Sequence, residues 1–416
     1  MTRQERPPAR VGTAPPRVAV VGSLVSIDLA LTDALIGAGV PATVLRHRGE
    51  GGLDEGSAAL YANLSSSDFE FFETKTDLIR CLRRFEVVFT FTAAVGMWLG
   101  RRMYVYPLLR RLGWPPYINV ATGSDLTERA IEKTTAGRIQ RFTMRHAFAQ
   151  GLPPFPDILR TAASMRLRNA CMLPLAHISL PDTLPAAPRL SSWRFRRSRD
   201  EFLILNPSRL DWGEADPGPR ASTKGNDRFI RALARFASET QRDVQAVLLD
   251  RGADQENAKR LVRELGLDDV VTWGPPLSHG ELFAAMAESD LVVDQFDVGA
   301  FGLTALEAFQ VGRPVLTYVN ETCERLVYDQ NSPILNAHTE DEILARLHEA
   351  AESDQLERRT NAARHWAQTR SFDALLPRYL LYATLATGKP AADFGWWRPH
   401  GTLESYGNRV GQSAMS

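Results

Sequence analysis

The sequence predicts an α/β protein built from two doubly wound domains that face each other across a cleft. Three observations carry that prediction. Short apolar, β-branched runs alternate with segments of helical spacing, as in 17–21, 24–36 and 42–45. The same alternation starts again at residue 202, after a Pro- and Arg-rich break over 181–199. The length of 416 residues suits two domains of ordinary size.

The first half opens with the run RVAVV at 17–21, a turn at Gly22-Ser23, a helical segment closed by Gly37 and Gly39, and a strand at 42–45. The turn lacks the G-x-G-x-x-G dinucleotide fingerprint, so a nicotinamide cofactor is disfavoured there. Residues 49–68 form a long polar Gly/Ser-rich loop, and 86–92 a clear strand. Residues 97–112 have helical spacing with an exposed Arg face. A strand at 117–120 runs into Ala121-Thr122-Gly123-Ser124-Asp125, where Ser124 or Asp125 caps the next helix. Asp125 is divided between that cap and a polar group on the acceptor side of the cleft. A helix over 157–165 and a strand over 170–173 complete this half.

The break at 181–199 holds Pro181, Pro185 and Pro188, then five arginines around Trp193 and Phe195. A solvated interdomain linker is the favoured reading, and a patch for a membrane surface or an anionic ligand the sharper one. The second half has strands at 202–205, 244–249, 270–273, 291–293 and 315–319. Its helices lie at 226–238, 256–265, 277–288, 304–311 and 339–350, and an aromatic-rich amphipathic helix follows at 372–386. The expected organisation is a disordered leader (1–16), a first domain (17–188), a linker (189–200), a second domain (201–370), a crossover helix that returns to the first domain (371–400) and a loose tail (401–416).

Composition excludes several classes. The chain has 49 basic and 49 acidic side chains, which argues against a dedicated nucleic-acid binder. Three scattered cysteines form neither a disulfide framework nor a metal knuckle, so the expected compartment is a reducing cytosol. The first residues are polar and Pro-rich, without the apolar core of a signal peptide, and there is no run long enough to span a bilayer. The Arg- and Ala-rich bias suggests a bacterial source.

The informative stretch is 290–319: strand, Gly-bearing turn, helix, Gly312 as stop, then Pro314 and a further strand. A turn that feeds a helix N-terminus presents free N–H groups and the positive end of a dipole, which suits an anion. Arg209 and Lys224, on loops after the first strand of this half, would face that terminus and make a cationic pocket for a pyrophosphate. Glu307, one turn into the helix, could accept both hydrogen bonds of a ribose diol. Taken singly, each of these residues would ordinarily be a solvated surface charge.

The order R-L … K-G-N-D … L-S-H-G-E-L … D-L-V-V … F-G-L-T-A-L-E-A-F-Q-V-G-R-P-V over 209–315 resembles the retaining nucleotide-sugar glycosyltransferases of the group 1 family (glycosyltransferase family 4-like). The resemblance covers 202–319 well and the first half only in its α/β layout. It implies the GT-B fold, two Rossmann-like domains facing across a cleft. It implies that Arg209 and Lys224 neutralise the donor diphosphate as catalytic groups, that Ala300, Phe301 and Gly302 form the backbone that approaches the phosphates, with Gly299, Leu303, Thr304 and Asp297 also at the donor site, and that Glu307 holds the ribose. It departs from the family at Gly299, where a second, sugar-facing glutamate is usual; Asp297 or Asp294 could substitute from nearby. His146 and His177 are read as structural rather than catalytic.

The expected activity is transfer of a sugar from a nucleotide-diphosphate donor to a hydroxyl acceptor on a glycan, lipid or natural product. The resemblance implies retention, and metal independence is expected because fixed cations serve the leaving group and no D-x-D motif is evident. No cofactor is expected beyond the donor, which is a substrate. The location is expected to be cytoplasmic, with peripheral attachment at the inner face of the membrane left open. The rivals are a nucleotide-sugar 2-epimerase, a phosphorylase, or a non-catalytic nucleotide-sugar-binding subunit.

Overall fold

The computed structural model describes residues 15–22, 27–50, 61, 63–122, 126, 130, 132–173, 201–213, 223–300, 302–325, 331–368 and 372–388. The expected leader up to residue 14, the linker and the tail, together with Asp125, His177 and Phe301, lie outside the described residues.

The first sheet has seven strands: β1 (Val18–Val21), β2 (Ala42–His47), β3 (Phe69–Phe72), β4 (Val87–Phe91), β5 (Tyr117–Val120), β6 (Ala149–Leu152) and β7 (Ala170–Met172). Their spatial order is β3-β2-β1-β4-β5-β6-β7, and every pairing is parallel. The intervening helices are α1 (Ile27–Gly37), α2 (Lys75–Leu82), α3 (Ala94–Leu99), α4 (Tyr106–Arg111), α5 (Thr135–His146) and α6 (Pro156–Ser164), with a 3₁₀ turn at Gly100–Val105 joining α3 to α4.

Side chains alternate across the strands as the pleat requires. Val18 and Val20 face one core, with Val44, Phe89 and Ile118. Ala19 and Val21 face the other, with Leu78, Val95, Leu99 and Met103. The strand at β3 and the helix α2 were not anticipated. The helix carries its own start signal, because Thr74 accepts from Asp77 N at 3.2 Å and the Asp77 carboxylate accepts from Thr74 N at 3.1 Å. The single helix expected over 97–112 is broken at Gly100, which has φ +58. Its outer face is not simply arginine, since Val105, Leu108 and Leu112 are exposed there.

The second sheet has six strands: β8 (Phe202–Asn206), β9 (Val244–Leu249), β10 (Val271–Gly274), β11 (Leu291–Val293), β12 (Val315–Thr317) and β13 (Leu335–Asn336). Their order is β10-β9-β8-β11-β12-β13, again wholly parallel. The helices are α7 (Asn226–Glu239), α8 (Gln255–Glu264), α9 (His279–Glu288), α10 (Leu303–Gln310), α11 (Glu321–Glu324), α12 (Glu340–Ala351), α13 (Ser353–Gln368) and α14 (Phe372–Thr387). Both sheets reverse direction beside their first strand, between β1 and β4 and between β8 and β11. In open parallel sheets the crevice at such a reversal is where ligands bind.

One apolar core is shared between the halves. Leu205, Val292, Leu306 and Phe309 of the second half pack with Leu152, Ile158 and Leu159 of the first, and with Trp366 of α13. The last helix returns to the first half, as expected. Leu376, Tyr379, Leu380 and Ala383 follow i, i+3, i+4, i+7 spacing and are buried against α1 and the first sheet. Burial of each leucine-sized side chain contributes about 1.5–3 kcal/mol, so this helix is firmly docked. Among the described residues no helix is long and apolar enough to cross a membrane.

Candidate functional site

The candidate site lies at the carboxyl ends of β8 and β11, where the second sheet reverses. After β11 the chain forms the turn 294–302 and enters α10 with Gly302 as N-cap. Gln295 is buried and braces this turn. Its amide donates to Ala300 O and Tyr318 O, and its Oε1 accepts from Asp297 N at 3.1 Å and Val298 N at 2.7 Å. Asp294, also buried, accepts from Ser208 Oγ at 2.7 Å and from Gly302 N at 3.2 Å. One carboxylate thus ties the end of β8 to the N-terminus of α10, where a negative charge is favoured by the dipole.

Arg209 and Lys224 are brought together at this edge, as the sequence led us to expect. Arg209 stands at the rim, half exposed and 3.9 Å from Asp211. Lys224 is more enclosed. Burial pushes its ammonium below the usual lysine range; Asp294 and Asp211 oppose that shift, while Arg209 and Arg251 reinforce it. Gly225 follows at φ +63, where a side chain would meet the Arg228 guanidinium, so the tight turn from Lys224 into α7 is suited to glycine.

Glu307 is buried within α10 and accepts from His279 Nε2 at 2.8 Å. His279 opens α9, whose start is set by a Ser278–Glu281 capping box. The second ring nitrogen of His279 is buried and has no hydrogen-bond partner. Arg251, just past β9, is the third cation of the cluster. Burial and the nearby Arg209 lower its pKa, while Glu307 and Asp294 act the other way. It donates to Pro207 O at 2.7 Å, and its Nε is buried without a partner. Neither Arg251 nor His279 was singled out from sequence. For His279 the signal was present in S-H-G-E-L, a capping-box helix start one strand away from the turn. A lone arginine after a strand carries no such signal.

Two expectations about the missing glutamate need correction. Asp297 does not point freely at the cleft: it accepts from Thr223 Oγ1 at 2.7 Å and pairs with Arg228, so it anchors the turn to the loop before α7. Asp294 is spent on the Ser208–Gly302 clamp. Gly299 itself sits at φ +72, with Tyr318 at 3.2 Å and Pro156 of the first half at 3.3 Å from where a Cβ would stand. The backbone there is shaped for glycine and faces the opposite domain.

Ala300 is buried, and Leu303 packs against cores of both halves. Thr304 is half-buried in the first turn of α10. His146 is exposed on α5, bonded to Phe142 O at 2.9 Å and stacked on the Phe142 ring, away from this edge. Across the cleft, β4, β5 and β6 of the first sheet carry uncharged groups, while a buried Arg46–Asp28 pair stands by β1 and β2. Asn119 accepts from Ala93 N at 2.9 Å and donates to Gln150 at 2.8 Å, and Thr90 accepts from Val95 N at 3.2 Å. Among the described residues no group of three or more His, Cys, Asp or Glu could hold a metal ion.

The arrangement combines three cations, a helix N-terminus and a buried carboxylate, which suits a phosphorylated ligand that also offers a diol. Comparison with known proteins agrees with it. Residues 218–367 match the family described as glycosyl transferases group 1. A D-inositol 3-phosphate glycosyltransferase of Arthrobacter sp. (strain FB24) is 33% identical over 115 residues, which is 27% of this chain and 27% of that protein. The chain therefore matches only about a quarter of the length of that relative. Among solved structures, a sucrose-phosphate synthase from Thermosynechococcus elongatus superposes with a TM-score of 0.62 at 16% identity, over 90% of this chain and 100% of that one. Anabaena Alr3699/HepE in complex with UDP-glucose gives a TM-score of 0.57 at 15% identity, over 89% and 100%. At such identities the likeness is one of fold.

Proposed function

We propose that this chain, whose residues 218–367 match the glycosyl transferases group 1 family, transfers a sugar from a nucleotide-diphosphate donor to a hydroxyl acceptor. The observation that carries the reading is the cluster of Lys224, Arg209 and Arg251 beside Asp294 and Glu307, at the N-terminus of α10. Glycosyl transfer demands a stabilised leaving group, and fixed cations at the departing diphosphate supply that without reorganisation. Lys224 and Arg209 neutralise the phosphates, the N–H groups at Leu303 and Thr304 approach them, and Glu307, held by His279, receives the ribose hydroxyls.

The relatives support the class of donor. Alr3699/HepE is solved with UDP-glucose, and the Arthrobacter relative is named for transfer to an inositol phosphate. We assign no base, sugar or acceptor on that footing. Retention and metal independence belong to the same proposal: the cations would neutralise the diphosphate in place of a metal, and the attacking hydroxyl would lose its proton to the leaving phosphate. The neutral edge of the first sheet, with Asn119 and Gln150, supplies the acceptor side.

The test is a thermal-shift screen of the full chain against UDP-, GDP- and dTDP-sugars. A true donor raises the melting temperature with dose, by mass action. The reading fails if no nucleotide sugar stabilises the protein at concentrations well above ordinary donor affinities.

A further inference from the structure

Among the described residues, most of the large apolar side chains that stand exposed lie in one place. Met97, Tyr104, Val105, Leu108 and Leu112 are 42–68% exposed. They recur at spacings of three, four and seven from α3 through the 3₁₀ turn to the end of α4, on both sides of the break at Gly100, with Arg101 between them. The opposite face of the same segment holds Val95, Leu99, Met103 and Tyr106, all buried. The outward face is therefore one where a soluble helix would ordinarily carry Glu and Lys, and it carries Met, Tyr, Val and Leu instead.

The charged side chains of this segment are all basic. Arg101, Arg102 and Arg111 are exposed, and Lys75 Nζ approaches the backbone at Gly100 from α2. Arg102 also donates to Thr76 Oγ1 at 3.3 Å. Between Glu86 and Asp125 the sequence contains no carboxylate. Along neighbouring α5, Arg138 and Arg145 are exposed, and Phe142 meets Tyr104 edge-on at 4.8 Å.

We infer that this face docks on an anionic lipid bilayer. A protein partner would call for a compact apolar centre with charges kept to the rim. Here guanidinium groups and apolar tips alternate along a convex helix, which is the pattern of shallow insertion at a lipid interface with phosphate headgroups between the arginines. The face starts one turn beyond the Thr92–Ala93 turn at the carboxyl end of β4, so docking sets the bilayer beside the cleft. The inference uses no donor-site residue and stands or falls independently of the proposed activity.

Sedimentation of the full chain with vesicles tests it. One set contains phosphatidylcholine alone, the other phosphatidylcholine mixed with phosphatidylglycerol, each at low and high salt. The expected result is binding to the anionic vesicles only, weakened by salt. Two double variants follow, Arg101→Glu with Arg102→Glu, and Leu108→Asp with Leu112→Asp. Each is expected to lower partitioning at least about tenfold while leaving the melting temperature unchanged. Wild-type protein that stays in the supernatant with anionic vesicles, or variants that sediment as the wild type does, would overturn the inference. So would a dimer in size-exclusion chromatography that dissolves on Leu108→Asp with Leu112→Asp, because a second copy would then be the occupant.

Discussion

At the carboxyl edge of the first sheet, Thr90, Asn119 and Gln150 hold their loops through neutral hydrogen bonds. At the matching edge of the second, Arg209, Lys224, Arg251, Asp294 and Glu307 crowd five charges into one cluster. Both sheets have the same strand order around the reversal, so the backbone offers the same crevice twice. What differs is what the loops bring to it. The uncharged groups of the first edge are paired with one another, and its buried Asp28 carboxylate pairs with Arg46. The charged edge keeps a depressed lysine, a buried orphan nitrogen on Arg251 and another on His279, and a phosphorylated ligand would meet those needs.

The comparison breaks most sharply at Lys224. Lys224→Ala, or Arg209→Ala, is expected to lower turnover roughly 10²–10³-fold with a melting curve close to the wild type. Turnover near normal in both variants would mean that the charged edge is not the donor site.

Lys224 also sets a pH dependence. Burial, reinforced by Arg209 and Arg251, favours its neutral form, whereas donor phosphates favour the charged one. Donor affinity is therefore full below its depressed pKa and lost above it, beginning at a lower pH than an ordinary lysine would allow. Calorimetry across the alkaline range checks this, with proton uptake on binding as the accompanying signature. Affinity that stays flat until the normal lysine range rules the idea out.

The neutral edge should respond in stability instead. Asn119→Ala removes the partner of both Ala93 N and Gln150, and is expected to cost about 1–3 kcal/mol in denaturant unfolding, with donor affinity unchanged. A change in donor affinity without loss of stability would blur the distinction between the edges. Gly299→Glu sharpens it from the other side. Restoring the family's usual residue forces a side chain onto φ +72 against Tyr318 and Pro156, costing about 1–2 kcal/mol, and turnover should not rise. A gain in turnover would show that the turn accommodates a sugar-facing carboxylate after all. The smallest effect is expected at His279→Ala, a roughly three- to tenfold loss of donor affinity as Glu307 loses its orienting bond. Titration of the variant against the same donor measures it, and unchanged affinity would leave His279 with no part in donor binding.

The charged edge was largely legible in the sequence because its residues sit in motifs that follow strands directly. Arg209, Lys224 and Glu307 are each fixed by a strand end or a helix start close by in sequence. Arg251 and His279 were not, since their importance comes from neighbours across the sheet. The first half gave weaker signals. Strand β6 reads Ala-Gln-Gly-Leu, with no β-branched residue, and is a strand only because β5 and β7 flank it. Helix α2 has mean hydropathy typical of a surface segment and went unseen despite its capping box. The break at Gly100 was hidden inside a run of helical spacing, and with it the apolar character of the outer face.

The return of α14 has a consequence for how the molecule is made. The face of the first sheet around Val20, Phe89 and Ile118 is closed by Leu376, Tyr379 and Leu380, some 200 residues after β7 ends at Met172. At translation rates of about 5–20 residues per second, that face waits roughly ten to forty seconds for its cover. A nascent chain held on the ribosome before residue 372 would present an open apolar groove beside α1, so the newborn first half is a natural client for a chaperone until the last helix emerges.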